Sequence, residues 1–172
     1  KLYLFEPNMV LGRSNKFFIK SCKKIFCYSN NIKNFPTKYI NKINIIPALL
    51  RKKFYDVEKA KSINERINLL VIGGSQGAKI FDRLTKYSII KLSKRYNLKI
   101  YQQTNLGNLE NLKKFYKDNN INYELFDFNE DISSLMSKSN ICLTRAGAST
   151  LAELVFLNLP FIAVPLPTSK DN

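Results

Sequence analysis

The stretch Gly73-Gly74-Ser75-Gln76-Gly77-Ala78 constrains the fold of this chain most, because it joins a strand pattern directly to a helix pattern. The apolar run 69–72 before it is typical of a buried parallel strand, and the apolar residues after it recur at helical spacing. Glycines let the turn bend sharply, and the N–H groups that open the following helix attract anions. Two interpretations stay open, a phosphate site or only a tight connection, since the spacing matches neither a Rossmann fingerprint nor a Walker loop.

Composition limits the chemistry of the chain. It has 172 residues, is 45% hydrophobic, and carries a net charge of +15 from 28 Lys and Arg against 13 Asp and Glu. This length suffices for one full core, or one core and part of another. The charge favours anionic partners such as a nucleotide or an anionic membrane surface. Because the lysine excess comes with many Asn, Ile, Tyr and Phe residues, we attribute it partly to AT-rich codon usage and expect no nucleic-acid partner.

The chain has no histidine, so it lacks the commonest general base and the commonest zinc ligand. Its three cysteines, Cys22, Cys27 and Cys142, are widely spaced and odd in number, which favours a reducing compartment over a disulfide framework. We expect no metal and no cofactor. No apolar run reaches the roughly 18 residues that a membrane span needs. Since Lys1 opens an apolar run and Asn172 follows a Pro-Leu-Pro segment, we expect the chain to be part of a longer protein.

The first third of the sequence predicts the end of one α/β domain. Strands are predicted at 2–5, 25–28 and 43–46, and Ser14 is a plausible N-cap for a helix over 14–24. In this helix Phe17, Phe18 and Cys22 alternate with lysines at positions 16, 20, 23 and 24. The composition then becomes highly charged, so we place an interdomain linker at 48–64, between a domain tail at 1–47 and a second domain at 65–172.

From Arg66 onward, strand and helix patterns alternate regularly. Strands are predicted at 67–72, 98–103, 122–126, 140–143 and 160–164, and helices at 77–92, 107–119, 131–138 and 149–158. In the first of these helices an apolar stripe is predicted to pack on the sheet; its members are Ile80, Phe81, Leu84, Tyr87 and Leu92. Repeated βα units predict a parallel, right-handed, doubly wound sheet.

In such sheets, ligands bind in the loops at the carboxyl ends of the strands. Three loops stand out here, at 73–78, 126–131 and 144–150. In the last, Ser149 and Thr150 either cap the helix, with Glu153 closing a capping box, or open its N–H groups to a nucleotide. In the second case the amides face phosphate and the carboxylate of Glu153 accepts the ribose hydroxyls.

Three ordered motifs closely resemble the MurG family of bacterial peptidoglycan glycosyltransferases: GGSQGA at 73–78, TRAGASTLAEL at 144–154, and LPFIAVPLP at 159–167. Upstream, 6–12 is similar to the family's EQNxxxG segment. The resemblance implies an α/β fold of GT-B type, with two Rossmann-like domains. The tail of the first domain and most of the second would be present here. It also implies inverting transfer of N-acetylglucosamine from UDP-N-acetylglucosamine to the undecaprenyl-linked muramyl-pentapeptide (lipid I).

The same resemblance implies the residues that bind the donor. Arg51 matches an arginine that neutralises phosphate, Ser75 lies at the diphosphate, and Glu153 takes the ribose hydroxyls. Phe128 and Asn129 flank uracil, with contact through the backbone, and Asn8 lies at the interdomain cleft. The start of the last helix would line the diphosphate and sugar through Ala148, Ser149, Thr150, Leu151 and Ala152. Gly73, Gly74, Gln76 and Gly77 complete the phosphate loop.

The chain departs from the family at three places. The Gly-Asn-Pro before the linker arginine is replaced by 47–50, and Pro7 stands where the family has Gln. The Gly-rich loop with the family's candidate histidine base is absent, so the catalytic residues are unknown and the base is expected outside the chain. We therefore expect this chain to bind UDP weakly and not to turn over.

A lipid-linked acceptor implies a cytoplasmic enzyme attached peripherally to the inner face of the bacterial plasma membrane. The basic helix 14–24 either assists at that surface or is a solvated face with its aromatic residues turned inward. Two rival functions stay open. One is another GT-B glycosyltransferase with a different nucleotide sugar, and the other is a non-catalytic basic module that binds nucleotides or RNA.

Overall fold

The described strands form two parallel sheets in the computed structural model, which describes residues 1–60 and 65–165. The first sheet has three strands in the order β1-β2-β3: β1 is Tyr3–Glu6, β2 is Lys24–Cys27 and β3 is Ile43–Ile45. Helix α1, Arg13–Phe18, connects β1 to β2, and a 3₁₀ helix, Thr37–Lys42, precedes β3. A small core that includes Ile19, Ile25 and Cys27 lies under this sheet.

The second sheet has five strands in the order β6-β5-β4-β7-β8. The strands are β4 Ile67–Ile72, β5 Leu98–Gln103, β6 Asn122–Phe126, β7 Ile141–Arg145 and β8 Phe161–Val164. All neighbours pair in parallel. The chain runs outward from β4 to β6 and then returns to β7 on the other side of β4. The strand order therefore reverses between β4 and β7, the position at which doubly wound sheets bind their ligands.

Helices cover both faces of this sheet. They are α2 Gly74–Leu84, α3 Lys86–Ser93, α4 Leu106–Asp118, α5 Ile132–Lys138 and α6 Ala148–Phe156. The core on one face contains Val71 with Phe81, Ile89 and Leu112 of α2, α3 and α4. The core on the other face contains Leu70 and Ile72 with residues of α5 and α6. Adjacent strand residues alternate between the two cores because strand side chains point to opposite faces. The predicted doubly wound α/β sheet is confirmed.

All eight strand predictions are confirmed, each boundary lying within two residues of its predicted position. The prediction of one helix over 77–92 is wrong. Helix α2 begins at Gly74, so the turn after β4 is shorter than 73–78, and a second helix, α3, begins at Lys86. Thr85 separates them: its hydroxyl donates to the carbonyl of Phe81 at 2.6 Å, a bond that competes with regular helix geometry.

This break changes which residues are buried. Phe81 is buried as predicted, and Ile89 of α3 joins it in the core. Leu84, Tyr87 and Leu92 of the predicted stripe are instead 54%, 69% and 38% exposed. Leu84 and Leu92 still line an apolar cavity together with strand residues of the sheet, so these two side chains face the sheet without being covered.

The predicted helix over 14–24 is shorter than expected. Helix α1 ends at Phe18, its N-cap is Gly12 rather than Ser14, and Lys24 already belongs to β2. The Lys42 ammonium donates to the carbonyls of Ile19, Lys20 and Cys22 at 2.9, 2.9 and 2.7 Å, which gives these groups partners outside a helix. Phe17 and Phe18 are 79% and 46% exposed, so the aromatic residues do not turn inward.

The charged segment predicted as a linker packs against the second sheet. Residues Lys52–Tyr55 form a 3₁₀ helix, and Phe54, 1% exposed, belongs to the core that α5 and α6 cover. Leu50, Val57 and Ala60 lie against the same core. The division into 1–47, 48–64 and 65–172 stays a prediction, and packing associates Phe54 with the second sheet. Residues 61–64 and 166–172 lie outside the described part of the chain.

The three cysteines are free and buried. Burial raises the pKa of the Cys142 thiol well above its ordinary value and that of Cys27 to about 11, with the Glu6 carboxylate adding to the second shift. Both groups therefore stay protonated at neutral pH, where a thiol is a weak nucleophile. The cysteines contribute to packing, not to the chemistry of the site described below.

Candidate functional site

A cleft of about 260 Å³ lies at the carboxyl ends of β4, β5, β6 and β7. Its walls come from the loops that follow these strands, from the start of α6, and from the segment before β4. The residues that line it are Arg51, Ile72, Gly73, Gln103, Phe126, Phe128, Asn129, Ile132, Met136, Thr144, Arg145, Gly147, Thr150 and Glu153. A second depression, lined by Leu49, Leu50, Arg51, Ser149, Thr150 and Glu153, adjoins it. The cleft thus opens where the strand order reverses.

Arg51 and Glu153 form a two-point ion pair at the edge of the cleft. The Arg51 Nε donates to Glu153 Oε1 at 2.8 Å, and its Nη2 donates to Oε2 at 2.9 Å. The Glu153 side chain is 5% exposed, whereas that of Arg51 is 58% exposed and lies over the Phe54 ring. Each carboxylate oxygen has a second lone pair. Glu153 is therefore fixed in place and keeps capacity to accept hydroxyl donors from the cleft.

Gln103 connects two of the three loops that the sequence singles out. Its Oε1 accepts from the backbone N–H of Gly73 at 3.2 Å, and its Nε2 donates to the carbonyl of Asp127 at 3.0 Å. The residue ends β5, so the strand carries this connection to the cleft. Gln103 was not predicted as a site residue, although a polar residue at the end of a buried strand is a signal for such a role.

The loop between β6 and α5 is held by its own side chains. Asn129 Oδ1 accepts from the backbone N–H of Asp131 at 2.7 Å, and Lys53 Nζ donates to the carbonyl of Glu130 at 3.2 Å. Asp131 caps α5, accepting from the Ser134 and Ser133 hydroxyls at 2.6 and 2.8 Å. These hydrogen bonds hold the pKa of the Asp131 carboxyl below its usual range. The Asn129 side chain thus fixes the loop, and Phe128, 77% exposed, projects beside it.

Helix α6 begins at the cleft without a side-chain cap. Its N-cap is Gly147, and no side chain of the described residues caps it. Thr150 lies inside the first turn and Glu153 pairs with Arg51, so the capping box between them is not formed, and that interpretation is wrong. With small residues at 146–148 in front of the helix, its first N–H groups lie next to the cleft.

Asn8 lies apart from the cleft lining, on the loop after β1. Glu6, 2% exposed, accepts from the backbone N–H and the amide Nδ2 of Asn8 at 3.2 and 3.1 Å. The same carboxylate accepts from Gly12 N–H at 2.7 Å and Asn15 Nδ2 at 2.9 Å. Glu6 therefore organises the whole loop that carries Asn8, another role that was not predicted from the sequence.

The structure brings together most of those predicted donor residues whose side chains it describes. Those on the cleft or the adjoining depression are Arg51, Gly73, Phe128, Asn129, Ser149, Thr150 and Glu153. Leu151 packs against the core, and Ala148 and Ala152 lie on α6 away from both linings. The side chains of Ser75 and Gln76 lie outside the described part of the structure, as do Gly74 and Gly77 apart from their helical backbone. The ligand contacts of all these residues stay predictions.

A larger cavity of about 1070 Å³ lies at the opposite, amino end of the strands, where its lining includes Asn68, Asn97 and Asn140. The smaller cleft lies at the carboxyl ends of the strands, and we take it as the candidate site for that reason.

Comparison with known proteins identifies the family. The glycosyltransferase family 28 C-terminal domain matches residues 68–172, more than half of the chain. The chain belongs to glycosyltransferase family 28. The matched residues include β5 to β8, all of β4 except Ile67, and the loops after these strands, so most of the candidate site lies inside the matched domain. Arg51 and its segment lie outside the matched range.

Relatives of this family 28 chain are similar along its whole length. A protein of Pelagibacter ubique (strain HTCC1062) is 64% identical over 172 residues, which is 100% of this chain and 48% of the relative. One of Rickettsia canadensis (strain McKiel) is 38% identical over 176 residues, covering 99% of this chain and 50% of the relative. Both are named UDP-N-acetylglucosamine--N-acetylmuramyl-(pentapeptide) pyrophosphoryl-undecaprenol N-acetylglucosamine transferase. The chain thus spans about half the length of these curated relatives.

Solved structures support the family 28 fold. The crystal structure of Acinetobacter baumannii MurG aligns with a TM-score of 0.76 at 24% identity, covering 98% of this chain and 47% of that one. A glycosyltransferase from Rickettsia africae aligns with a TM-score of 0.53 at 18% identity, covering 94% and 50%. At these identities the likeness concerns the fold, and it confirms the predicted GT-B type. Within residues 1–60 and 65–165, no helix is long and apolar enough to cross a membrane.

Proposed function

We propose that this chain is the donor-binding part of a glycosyltransferase that transfers N-acetylglucosamine from UDP-N-acetylglucosamine to undecaprenyl-linked muramyl-pentapeptide. The observation that carries the proposal is the 64% identity, over all 172 residues, with a relative whose name states this transfer. The cleft at the carboxyl ends of β4 to β7 is the place in the chain where the donor binds.

The chemistry of the cleft suits a nucleotide diphosphate. The Glu153 carboxylate, held by Arg51, accepts the two ribose hydroxyls with its remaining lone pairs. The exposed Phe128 ring and the backbone at Asn129 flank the base. The first N–H groups of α2 and α6 bind the diphosphate, whose negative charge grows as the sugar leaves and is stabilised by such fixed donors.

The acceptor half of the reaction belongs to the part of the protein outside this chain. The curated relatives are about twice as long, and the chain contains no histidine to act as general base. We place the base and most of the lipid I site there. Because the acceptor carries a lipid, we propose that the protein works at the inner face of the plasma membrane. The exposed Phe17 and Phe18 beside Arg13 and Lys16 suit contact with an anionic membrane surface.

Nucleotide-dependent thermal stabilisation tests the proposal. We expect UDP at about 100 times its Kd to stabilise the chain by about 2.7 kcal/mol, and ADP and GDP to have much less effect. Glu153→Ala should abolish the UDP effect because the ribose hydroxyls lose their acceptor. Glu110→Ala, which removes an exposed carboxylate of α4, is the matched control and should leave it unchanged.

Two other results would overturn the proposal. Equal stabilisation by all nucleoside diphosphates would indicate a general nucleotide module. Steeply salt-dependent RNA binding that is indifferent to Glu153→Ala would indicate an RNA-binding module. Competition between UDP-N-acetylglucosamine and other UDP-sugars for the same chain then tests which sugar the site prefers.

A further inference from the structure

Arg145 is a buried cation without a partner among the described residues. It is the last residue of β7, it is 8% exposed, and it lines the cleft beside Gly73, Thr144 and Gly147. In the described part of the chain, none of its three guanidinium nitrogens, Nε, Nη1 and Nη2, has a hydrogen-bond partner. Other buried polar side chains of this sheet do have partners: Gln102 and Thr104, for example, both donate to Asp82.

An unpaired guanidinium in this position is unfavourable unless an anion joins it. Burying a charge without a counter-charge or hydrogen bonds costs several kcal/mol. Among the described residues, the aromatic ring that lies near the Arg145 guanidinium is that of Phe81, at 6.0 Å, which is the outer limit of a cation–π interaction. This contact orients the guanidinium and supplies none of the five acceptors that its N–H groups can bind.

The backbone around Arg145 is fixed at the ligand end of the sheet. Its carbonyl accepts from the N–H of Gly147 at 2.9 Å, and the Gly147 carbonyl accepts from Leu151 N–H at 2.9 Å. The strand end and the start of α6 are thereby joined in one turn. Arg145 also lies on β7, which pairs with β4, so it lies where the strand order reverses.

Arg51, the cation that the sequence assigns to phosphate, is already bound. It donates two hydrogen bonds to Glu153, and its side chain is 58% exposed at the cleft edge. Arg145 and Arg51 are the two cationic residues that line the cleft. Arg145 is the one whose nitrogens lack an acceptor in the described structure.

We propose that Arg145 binds the diphosphate of the nucleotide donor, the role that the sequence assigns to Arg51. The planar guanidinium donates two parallel N–H groups to phosphate oxygens, a geometry that lysine does not reproduce. Arg51 acts as a positioning residue for Glu153 and the ribose. That Arg145 binds an anion follows from the geometry alone. That the anion is the diphosphate of a UDP-sugar rests on the proposed function.

Calorimetric binding to Arg145→Gln and Arg145→Lys, with UDP, uridine and inorganic diphosphate as probes, tests the inference. We expect Arg145→Gln to weaken UDP and diphosphate about tenfold to a hundredfold and to leave uridine unchanged. The affinity of Arg145→Lys for UDP and diphosphate should lie between those of the wild-type chain and Arg145→Gln, since lysine keeps the charge and lacks the two parallel N–H donors. Without ligand, the melting temperature of Arg145→Gln should be unchanged or higher, because an unpaired buried charge is removed. Arg95→Gln, on the exposed surface, controls for net charge.

Three outcomes decide against the inference. A large loss of ligand-free stability in Arg145→Gln would mean that the arginine has a structural partner and would overturn the inference. Equal UDP affinity in the wild-type chain and Arg145→Gln, with the Glu153 dependence intact, would overturn the inference and leave the proposed function standing. If the wild-type chain bound neither UDP nor diphosphate, both the inference and the proposed function would be overturned.

One further outcome would support the inference about Arg145 and contradict the proposed function. Arg145-dependent binding of diphosphate, together with equal affinity for UDP, ADP and GDP, would support the anion site and contradict the proposed function.

Discussion

At the scale of single residues, the cleft is organised by side chains that bind one another. The sequence treats Arg51 and Glu153 as two ligand contacts, 102 positions apart, and the structure joins them by two hydrogen bonds. Gln103 likewise joins Gly73 to Asp127, and Glu6 holds Asn8. Such contacts preorganise a site, because a residue held by a neighbour need not be ordered again when the ligand binds.

The pairing of Arg51 with Glu153 predicts coupled effects. Arg51→Ala leaves the 5% exposed Glu153 side chain without its cation and should lower the free energy of unfolding by about 1–2 kcal/mol. This is less than for a fully buried pair, because water reaches Arg51. UDP affinity should fall as well, since Glu153 is no longer positioned. Denaturant titrations of Arg51→Ala, Glu153→Gln and the double variant measure the coupling.

Lys52→Ala, at the adjacent exposed position, controls for charge in this segment. Additive effects of Arg51→Ala and Glu153→Gln, with no interaction energy, would contradict a functional pair.

At the scale of elements, helix starts and helix breaks decide what faces the cleft. Strand positions follow from short apolar runs and were predictable, both for β4, which is buried at its carboxyl end, and for β8, which is partly exposed. The break at Thr85 was not predictable, because donation of its hydroxyl to a carbonyl four residues earlier is one of several hydrogen bonds open to a threonine. The early start of α2 at Gly74 and the Gly147 cap of α6 also depend on packing that sequence periodicity does not contain.

The cap of α5 gives a pH-dependent prediction. Asp131→Ala should cost about 1 kcal/mol at neutral pH, because the hydroxyls of Ser133 and Ser134 and the Ser134 N–H lose their acceptor. The pKa of Asp131 is lowered in the folded chain, so its contribution is present above the ordinary carboxyl pKa. It is lost as pH falls through the lowered value.

Urea unfolding of the wild-type chain and Asp131→Ala, from pH 7 to below about 4, should therefore show a difference that shrinks with acid. Asp118→Ala, near the exposed end of α4, is the control. A difference that stays constant over this range would contradict the cap.

At the scale of the whole molecule, we propose that the cleft is one wall of a two-sided site. The five-stranded sheet carries the cleft and two cores, whereas the three-stranded sheet contributes the loop of Asn8 and a smaller core. Family 28 membership and the span of about half the relatives' length fit this arrangement. Glycosyl transfer needs the donor and acceptor held together, and one wall does not supply that geometry.

We therefore expect the chain to bind UDP and to transfer no sugar. Incubation with labelled UDP-N-acetylglucosamine and lipid I in detergent should give no labelled lipid product, while the full-length relative from Pelagibacter ubique serves as the positive control. Any transfer by this chain above the background of Glu153→Ala would contradict the prediction and place a catalytic base among its own residues.

The sequence by itself determined the parallel α/β fold, the positions of the strands and the loops that build the cleft. These follow from local patterns, because an apolar run followed by a glycine turn and a helix has few alternative structures. It did not determine the partners of the charged groups. Arg51, Arg145 and Glu153 each carry a charge that suits a ligand, and nothing in a linear pattern shows which of them bind each other.

Only the tertiary structure decided which charged groups pair, because an ion pair depends on the distance between residues remote in sequence and on their burial. It joined Arg51 to Glu153 and left the guanidinium of Arg145 without an acceptor among the described residues. It also divided the predicted helix over 77–92 at Thr85 and buried Ile89, which the predicted apolar stripe did not include.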